Sequence, residues 1–599
     1  MTEVFDFVLN SGVAVFGFYN IDTKEINQYI IDKDSSDFKD MIEHFDKGTL
    51  IGYNIEFFNY PLLHYLITSR DIFVGLSPIL QLEKLRQKSD ELTISSEYIY
   101  KKFFTIIDLY KDLSLPKGIS LRDAGFAINY KDITGLKFNG NTREEIINYN
   151  WNNLGIITNL YYIARGISNN LIYKDNDIIE FRSNLSSRMM RNFMSMNNTM
   201  IGYNILISKY CSATGLSIQS VKSMHGTDRG VMKLPIPKFT KFETNKFDSL
   251  LSELKKVKVK NGDTKKTFSY SVIYNEIKLD YGLGGLHAAN PGIYHNCVEF
   301  DINSMYPCLS NYLRAYPEHL GEKFVDIYYN ELVKPKLEES KKPMPDYTLM
   351  KAYKEAMNSV YGKSNEYESF VYDPKYTMTI TIGGEMLISM MLEYVCERIK
   401  SKIVYVNTDA ICIQTNDNNK AESYVKEFLS KFNLSYKTTE FRTIAIKDVN
   451  NFISDKKCIG CFAIDKKIDQ DTSCAVIRKA IKCYYIDNTP ISQTIKKDSN
   501  IYDFCIKLKV NKGTSITECK NDLSKELIPG TIVRYYISKP GSGMYTQKAK
   551  TPNVVNKGHG ITVFNKYSDW KNIDYNWYIA EAQKLINSID DGQMNLFNY

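Results

Sequence analysis

Two apolar runs are each followed by an aspartate where the chain is predicted to turn back, and no other feature constrains the fold as much. The run Cys297 to Phe300 leads into Asp301, and the run Ser401 to Val406 leads into Asn407-Thr408-Asp409 before a further apolar run. Short apolar runs bounded by turn residues are typical of buried strands, so Asp301 is predicted at a strand end and Asp409 at a hairpin tip. Carboxylates on neighbouring strand ends can share two Mg²⁺ ions for in-line phosphoryl transfer. Taken alone, each aspartate is more typical of a turn cap.

A third segment, residues 351–363, lies between the segments that contain Asp301 and Asp409 and is predicted to be a helix. Lys351, Lys354, Asn358 and Tyr361 follow at i, i+3, i+7 and i+10, so they share one helix face. That face is basic at one end, where it can hold a polyphosphate, and aromatic at the other, where a ring can pack on a base. Gly362 is predicted to stop the helix. A surface helix with solvated lysines is the alternative.

Length, composition and net charge limit the class of protein to which the chain can belong. The 599 residues allow about four folding units at roughly 150 residues each. Hydrophobic residues make 43% and charged residues 24%, which indicates globular rather than disordered chain. No run approaches eighteen apolar residues and the N-terminus lacks a basic region before its apolar stretch, so neither a membrane span nor a secretion signal is expected. The net charge of +7 permits a nucleic-acid partner, and eleven cysteines without a secretion signal indicate reduced thiols in a cytosol-like compartment.

Together the three segments around Asp301, at 351–363 and around Asp409 resemble motifs A, B and C of the family B DNA polymerases, of the compact kind found in bacteriophages. Motif A of that family is D-x-x-S-L-Y-P, and the chain has Asp301-Ile-Asn-Ser304-Met305-Tyr306-Pro307. Motif B is K-x-x-x-N-S-x-Y-G, matched from Lys354 to Gly362 at every fixed position. Motif C is Y-x-D-T-D-S, and the chain has Tyr405-Val406-Asn407-Thr408-Asp409-Ala410. The resemblance implies a mixed α/β (α+β) multidomain fold, with an RNase H-like exonuclease-type domain followed by a right-hand polymerase.

The resemblance also implies domain limits and residue roles. The implied domains are an exonuclease-like domain at 1–165, a helical linking region at 166–277, palm with motif A at 278–321, fingers at 322–372, palm with motif C at 373–455 and thumb at 456–599. The catalytic and metal-binding residues would be Asp301, Asp409 and the Ile302 carbonyl. The nucleotide site would hold Ser304, Met305, Tyr306, Lys354, Asn358 and Tyr361, with Tyr306 excluding a 2′-hydroxyl. A second cationic phosphate contact is expected at Lys336, or at Lys341 or Lys342.

DNA contacts are implied in two further places. The stretch Tyr281-Gly-Leu-Gly284-Gly285-Leu-His287 resembles the family's Tyr-Gly-Gly segment, which touches the template strand, and Thr408 lies beside Asp409 in motif C. From Arg534 to Lys566 no acidic residue occurs, and this basic and aromatic stretch is interpreted as a mobile thumb loop that grips duplex phosphates through Lys539, Lys548 and Lys550. A solvated charged loop is the alternative.

The chain departs from the family at several positions. Motif C has Asn407 where the family usually has Asp, which removes a charge near the site but not an implied ligand. After motif C, Asn450 and Phe452 stand where the family has Lys and Tyr in a K-x-Y segment that grips the primer, so that role is not implied for them. The intervals between the motifs are too short for the insertions of protein-primed phage polymerases, so no terminal protein is implied and the fingers should be a simple helical hairpin.

The exonuclease motifs depart further. Asp6-Phe7-Val8 stands for D-x-E, Asn54-Ile-Glu-Phe57-Phe58-Asn59 for N-x-x-x-F/Y-D, and Tyr149-Asn-Trp-Asn-Asn153 for Y-x-x-x-D. Three of the four carboxylates are therefore missing, and an amide offers Mg²⁺ only one neutral oxygen. The interpretation is a retained domain with an inactive site, and a misread register is the competing explanation.

The resulting hypothesis is a template-directed DNA polymerase that adds dNTPs to a primer 3′ end with two Mg²⁺ ions, for which Mn²⁺ can substitute. It would replicate phage DNA in the host cytoplasm without proofreading, with primer-template DNA and dNTPs as partners, no membrane, and phage replication accessory proteins left open. The alternatives are a non-catalytic protein that binds primer-template junctions, a polymerase with a live 3′–5′ exonuclease, and a nuclease acting through the N-terminal domain.

Overall fold

The computed structural model describes residues 1–44, 48–95, 99, 102–137, 140–167, 177–260, 269–521 and 524–590. The linking region predicted at 166–277 includes 168–176 and 261–268, which lie outside the described residues. The strands are β1 Thr2–Asn10, β2 Val13–Asn20, β3 Ile26–Ile31, β4 Thr49–Gly52, β5 Thr105–Asp108, β6 Val231–Lys233, β7 Lys258–Lys260, β8 Ser269–Tyr274, β9 Ile277–Gly282, β10 His287–Ala289, β11 Gly292–Ile302, β12 Ser401–Asn407, β13 Ala410–Thr415, β14 Tyr436–Asp448, β15 Asn451–Ser454, β16 Cys458–Ile459, β17 Ile506–Lys509, β18 Ser515–Asn521, β19 Ser524–Ile528, β20 Ile532–Gln547, β21 Asn553–Val554 and β22 Ile561–Val563.

The helices complete the set of elements. They are α1 Phe38–His44, α2 Asn59–Thr68, α3 Arg70–Val74, α4 Pro78–Ile94, α5 Leu109–Asp112, α6 Leu121–Ala127, α7 Arg143–Ala164, α8 Ile178–Met189, α9 Asn198–Thr214, α10 Ile218–Lys222, α11 Asn245–Leu254, α12 Met305–Tyr312, α13 Lys323–Tyr328, α14 Lys334–Glu339, α15 Tyr347–Lys363, α16 Pro374–Cys396, α17 Asn418–Ser430, α18 Ala475–Asp487, α19 Ile491–Lys497, α20 Ile501–Phe504 and α21 Tyr575–Asp590. Short 3₁₀ turns and one π-helical turn, Tyr329–Val333, lie between them.

The chain forms two compact units, each built from three separate segments. Unit 1 contains Met1–Asn197, Asp465–Val476 and Lys496–Tyr578, and unit 2 contains Asn198–Ile464, Ile477–Ile495 and Ile579–Tyr599. Both units mix sheets with helices, so the predicted α/β multidomain class is confirmed. None of the eleven cysteines, which all lie in the described part of the chain, forms a disulfide bond.

The first sheet of unit 1 has the strand order β3-β2-β1-β4-β5. The apolar runs VFDFVL and VAVFGFYNI with the turn residues Asn10-Ser11-Gly12 between them predict two strands, and β1 and β2 form an antiparallel hairpin there, whereas β4 and β5 run parallel to β1. This order and these directions are those of the expected RNase H-like arrangement. The helical spacing of apolar residues at 142–166 predicts a helix with Thr142 as its cap, and α7 begins at Arg143 because the Thr142 and Glu145 side chains cap each other's backbone N–H groups.

The second sheet of unit 1 corrects the prediction of a basic loop. Residues Ile532–Gln547 form the long strand β20, which pairs with β17, β18, β21 and β22. Arg534 is 0% exposed, and its guanidinium donates to the backbone carbonyls of Tyr130, Lys131 and Phe564. Arg534 is therefore a packing residue that cannot reach a phosphate. Lys539, Lys548 and Lys550 are exposed, and their DNA contacts stay a prediction.

Unit 2 is organised around a nine-stranded sheet with the order β16-β15-β14-β11-β13-β12-β10-β9-β8. β11 lies between β14 and β13 and is antiparallel to both. Apolar side chains of this sheet form one buried cluster with residues of α16 and α17, and Phe300, Ile411 and Met386 all belong to it. The sequence predicts helices after Pro307, near 345–362 and at 573–589, and the structure has α12, α15 and α21 there. The sequence does not predict α16, because an apolar run that lies buried in a core does not show a clear helical period.

Helix α16 is largely apolar and largely buried. It is long and apolar enough to cross a membrane by length and composition, but 83% of its most hydrophobic window is buried inside the protein. The core helix of a globular protein satisfies the same criterion.

The segment predicted to form the fingers hairpin contains α13 and α14, then a turn, then α15. Asp346 begins α15 by accepting a hydrogen bond from the Leu349 N–H at 3.1 Å. Gly362 does not stop this helix, which continues to Lys363. The fingers motif is therefore presented on one regular helix of five turns.

Candidate active site

The two aspartates of the sequence analysis lie at adjoining strand ends in unit 2. Asp301 is opposite Ala410 in the pairing of β11 with β13, and Thr408-Asp409 is the two-residue tip of the β12–β13 hairpin. The Ile302 N–H donates to the Asp409 carbonyl at 2.9 Å, which ties the end of β11 to this tip. The predicted positions at a strand end and at a hairpin tip are confirmed, and both side chains are half-buried.

Negative charge accumulates at this point. Burial, and then the charges of Asp409 and Glu299, raise the pKa of Asp301 to about 6. Burial also raises the pKa of Asp409, and Glu299 adds to that increase. Two carboxylates that resist ionisation for these reasons fit a divalent cation, because a bound cation would offset both the burial and the repulsion.

Glu299 is a component of the site that the sequence analysis missed. It is 5% exposed and accepts hydrogen bonds from the Tyr405 hydroxyl and from Lys457 Nζ, the latter at 3.0 and 3.1 Å. A signal existed for Glu299, because residues two apart on a strand share a face and Glu299 precedes Asp301 by two. No local signal could have identified Lys457, which is 158 residues away in the chain.

The glycine segment after β9 lies against the hairpin tip. The Thr408 N–H donates to the Leu286 carbonyl at 2.9 Å, and Thr408 Oγ1 lies 3.3 Å from His287 Nε2. Gly285 has φ +119°, and a Cβ there would lie 3.0 Å from Thr408 Oγ1, so only glycine allows this approach. Gly284 is exposed with open space around it.

Tyr281 differs from the prediction of a template contact. It is 1% exposed, and its hydroxyl is hydrogen-bonded to Ser389 on α16 at 2.7 Å. Its side chain belongs to the core of unit 2, so it supports the glycine segment from below and is not available to DNA.

The start of α12 carries the motif A residues. Ser304 adopts the left-handed conformation, with φ 51°, and its Oγ accepts a hydrogen bond from Lys336 Nζ at 3.1 Å. The side chain of Met305 is buried, so only its backbone is available to a nucleotide. The half-buried ring of Tyr306 packs on the ring of Tyr361, with centroids 4.8 Å apart.

Motif B presents its side chains as the helical spacing predicted. Lys354 and Asn358 are exposed on α15, while the Tyr361 hydroxyl is hydrogen-bonded to Thr381 Oγ1 at 3.0 Å. Burial, and also the charge of Lys354, lower the pKa of Lys336.

Of the alternative phosphate contacts, Lys342 pairs with Glu339 at 2.6 Å, and Lys341 is exposed. Lys336 is therefore the candidate that the structure brings to motif A, through its bond to Ser304.

The exonuclease-like positions meet in unit 1. Asp6 on β1 accepts hydrogen bonds from Asn153 Nδ2 at 2.8 Å, Asn59 Nδ2 at 3.4 Å and Asn150 Nδ2 at 3.3 Å. Burial raises the pKa of Asp6 to about 6, against the effect of these donors. Amide nitrogens thus occupy the carboxylate oxygens that a metal ion would need.

Two neighbours complete this cluster. Arg122 donates to the Asn153 amide oxygen, and its guanidinium lies over the Tyr149 ring at 4.3 Å. Val8 contributes only apolar surface beside Tyr149. Arg122 and Asn150 were not identified from the sequence, and no motif pointed to them. Asp6 is the only acid among the described residues of this cluster, and a cation fixed beside it does not fit a two-metal site.

The two units differ in the side chains that could bind a metal ion. Among the described residues, no group of three or more His, Cys, Asp or Glu side chains is arranged as a metal cage. Mg²⁺ does not require one, since it often keeps one or two carboxylates plus water and substrate phosphates. The pair Asp301 and Asp409 meets that requirement, whereas the cluster around Asp6 does not.

Comparison with known proteins gives one kind of similarity only. No model of a protein family matches the chain, and no curated protein matches it in sequence. Among solved structures, the family B DNA polymerase from the hyperthermophilic archaeon Pyrobaculum calidifontis is similar at a TM-score of 0.45 and 12% identity, over 100% of this chain and 78% of that one.

Proposed function

We propose that this chain is a template-directed DNA polymerase that extends a primer 3′ end with dNTPs. One observation carries the proposal: Asp301 and the Asp409 hairpin tip adjoin at the ends of β11 and β12–β13, and burial raises the pKa of both carboxyl groups. The motif resemblance of the same residues supplies the reaction class. The relevant reaction is phosphoryl transfer from a nucleoside triphosphate to a 3′-hydroxyl.

Asp301 and Asp409 would hold the Mg²⁺ ions, with the Ile302 carbonyl as a further oxygen. Bound Mg²⁺ ions would activate the attacking oxygen and stabilise the leaving one, and Mn²⁺ would substitute. Glu299 lies beside Asp301 on the strand, and Lys457 pairs with Glu299 so that this buried carboxylate is not left without a counter-charge.

The neighbouring side chains suit a bound dNTP. Lys336 and Lys354 would balance the charge of the triphosphate, and Lys336 is already oriented by Ser304. Tyr306 would lie under the sugar and leave no room for a 2′-hydroxyl, and its packing on Tyr361 limits how far the ring can retreat. Asn358 and Tyr361 would border the base pair.

The proposal also covers the biological setting of the chain and the role of unit 1. We assign the chain to phage DNA replication in the host cytoplasm, with primer-template DNA as its partner and no terminal protein. We also assign unit 1 no proofreading activity, because Asp6 is held by asparagine amides and Arg122 lies beside them.

Primer extension tests the proposal. The purified protein is given a labelled primer on a template with Mg²⁺ and all four dNTPs, beside the same DNA without dNTPs. We expect template-dependent extension in the first reaction only. Binding of the junction without extension, under Mg²⁺ and under Mn²⁺, would instead identify a non-catalytic primer-template binding protein.

A further inference from the structure

Two adjacent glycines interrupt the apolar sequence in the middle of α16. Gly383 and Gly384 lie within a helix of 23 residues, where glycine is the poorest helix former after proline. Neither has a positive φ, so backbone conformation does not require glycine at these positions. The reason for glycine must lie in what packs against the helix.

The space beside Gly384 is taken by motif A. A Cβ at this position would lie 2.8 Å from Met305 Cε and 2.9 Å from Tyr306 Cε1. The methyl end of Met305 can move aside, but the ring of Tyr306 is less free. That ring also packs on Tyr361, which is in turn held by the bond of its hydroxyl to Thr381.

Thr381 precedes Gly384 by three residues, so both lie on the same face of α16. This face therefore contacts both tyrosines of the nucleotide site, Tyr306 through van der Waals contact and Tyr361 through a hydrogen bond. Any atom added at Gly384 would displace the Tyr306 ring from the helix.

We infer that the missing side chain at Gly384 sets the depth of the Tyr306 ring and thereby the room left for the sugar of the incoming nucleotide. Gly384 is a positioning residue, since it acts through Tyr306 and touches no reacting atom. The inference rests on the proposed function, in which Tyr306 lies under that sugar.

Gly383 offers a matched control. A Cβ there would be nearly as crowded, at 3.0 Å from Leu309 Cδ2 and 3.0 Å from Leu313 Cδ1, but it would press on these leucines further along α12 and at its C-terminal end, and not on Tyr306. Gly383→Ala and Gly384→Ala therefore gain the same helix propensity and suffer similar overpacking. They differ in whether the pressure reaches the tyrosine ring.

The experiment measures kcat and KM for a single dNTP and for the matching rNTP in five proteins: wild type, Gly384→Ala, Gly383→Ala, Tyr306→Ala and the double variant Tyr306→Ala with Gly384→Ala. We expect Gly384→Ala to raise the KM for the dNTP about tenfold, because the displaced ring intrudes on the sugar. Gly383→Ala should stay within twofold of wild type. With Tyr306 removed, Gly384→Ala should change KM less than twofold, since the ring it acts through is gone.

An unchanged KM in Gly384→Ala, or the same rise in the Tyr306→Ala background, would overturn the inference. These outcomes leave the proposed function intact as long as Tyr306→Ala alters the ratio of dNTP to rNTP use. An unaltered ratio in Tyr306→Ala would instead remove Tyr306 from sugar selection, and the inference with it. If Gly384→Ala does not fold, recovery of folding in the double variant supports the contact with the ring, and failure to recover contradicts it.

Discussion

Asp301 and Asp409 are two like charges at adjoining strand ends, so they cost stability unless a cation lies between them. We expect Asp301→Asn and Asp409→Asn to fold normally, with an unchanged or raised Tm, and to lose more than about 99% of extension, because a bound Mg²⁺ would lack a charged ligand. The measurement is primer extension at saturating Mg²⁺ beside a thermal melt. Asp248→Asn, on the exposed face of α11, is the control. More than a few per cent of residual extension in either variant would remove that residue from the metal site.

Glu385 carries the second prediction at this scale. It is 1% exposed on α16, and its Oε1 accepts a hydrogen bond from the Gly282 N–H at 3.0 Å. Burial raises its pKa to about 8, against the effect of that bond. The glycine segment that supports Thr408 is therefore attached to a carboxyl group that prefers to be protonated.

The sign of the pH dependence follows from linkage. Because the folded state binds this proton more tightly than the unfolded chain, the stabilisation is fully present below pH 4.5 and is lost as the pH rises to about 8. One proton corresponds to at most about 1.4 kcal/mol per pH unit. We expect Glu385→Gln, which keeps the acceptor oxygen, to be more stable than wild type at pH 8 and similar to it at pH 4.5. The readout is the difference in unfolding free energy between the two proteins across this range.

Glu253→Gln, on the exposed side of α11, serves as the control for this series and should follow wild type at every pH. A difference curve for Glu385→Gln that is flat from pH 4.5 to 8 would contradict the raised pKa. Taking differences is necessary, because Asp6, Asp108 and Asp301 also have pKa values raised to about 6.

Single residues also show where prediction from the sequence stops. Asp301, Asp409 and Tyr306 could be identified because each lies in a short motif whose spacing carries its meaning. Glu385 and Lys457 could not, because their roles come from partners 103 and 158 residues away. Tyr281 was assigned to DNA by its motif, whereas its burial depends on how β9 packs on α16.

At the scale of elements, one lysine connects three parts of the large sheet of unit 2. Lys457, in the turn between β15 and β16, donates to both carboxylate oxygens of Glu299 on β11, and Tyr405 on β12 donates to the same group. Removing Lys457 leaves a buried carboxylate short of its cation, which for a fully buried pair costs about 3–5 kcal/mol.

Lys457 is itself 39% exposed, so we expect a smaller loss of about 2 kcal/mol for Lys457→Met. Denaturant unfolding measures it. Lys456→Met is the adjacent control, since Lys456 is exposed and only reaches Asp455 at 4.0 Å, and it should change stability by less than about 0.5 kcal/mol. Equal effects of the two variants would show that the contact with Glu299 contributes nothing.

The elements themselves were predicted unevenly. The β1–β2 hairpin, the β12–β13 hairpin and helices α7, α15 and α21 follow from turn chemistry, caps and helical spacing, which are local. Strand β20 was interpreted as part of a basic loop because the stretch from Arg534 to Lys566 has no acidic residue and has glycines at 541 and 543. Its actual conformation depends on pairing with four other strands and on carbonyls near residue 130 that accept from Arg534.

At the scale of the whole molecule, the compact units are interleaved along the chain. Lys496–Tyr578 belongs to the same unit as Met1–Asn197, and in that unit Ile532 packs with Phe126 and Ile133. A pass along a sequence divides a chain into consecutive stretches, and it has no means of joining segments about 300 residues apart. The mixed α/β class was within reach of the sequence, whereas this arrangement of segments was not.

Under the proposed function, unit 2 carries the polymerase activity and unit 1 carries no nuclease activity. We expect unit 1 to lack nuclease activity, because hydrolysis at a 3′ end needs two metal ions and Asp6 is the only acid that the structure describes in its cluster. The Asp301→Asn protein is incubated with single-stranded DNA that has a free 3′ end and with Mg²⁺ or Mn²⁺, without nucleotides, so that polymerase activity does not interfere. Degradation that survives this change but disappears with Asp6→Asn would show that the domain is active.

Restoring the activity should need several changes at once. Val8→Glu, Asn59→Asp and Asn153→Asp would return the missing carboxylates, and each alone should do little because the ligands of one site act together. The structure adds a further requirement, since Arg122 donates to the side chain at position 153 and would form an ion pair with an aspartate there. We therefore expect the triple variant to stay inactive until Arg122→Gln is added. Activity in the triple variant alone would mean that Arg122 can swing away from the cluster when metal binds.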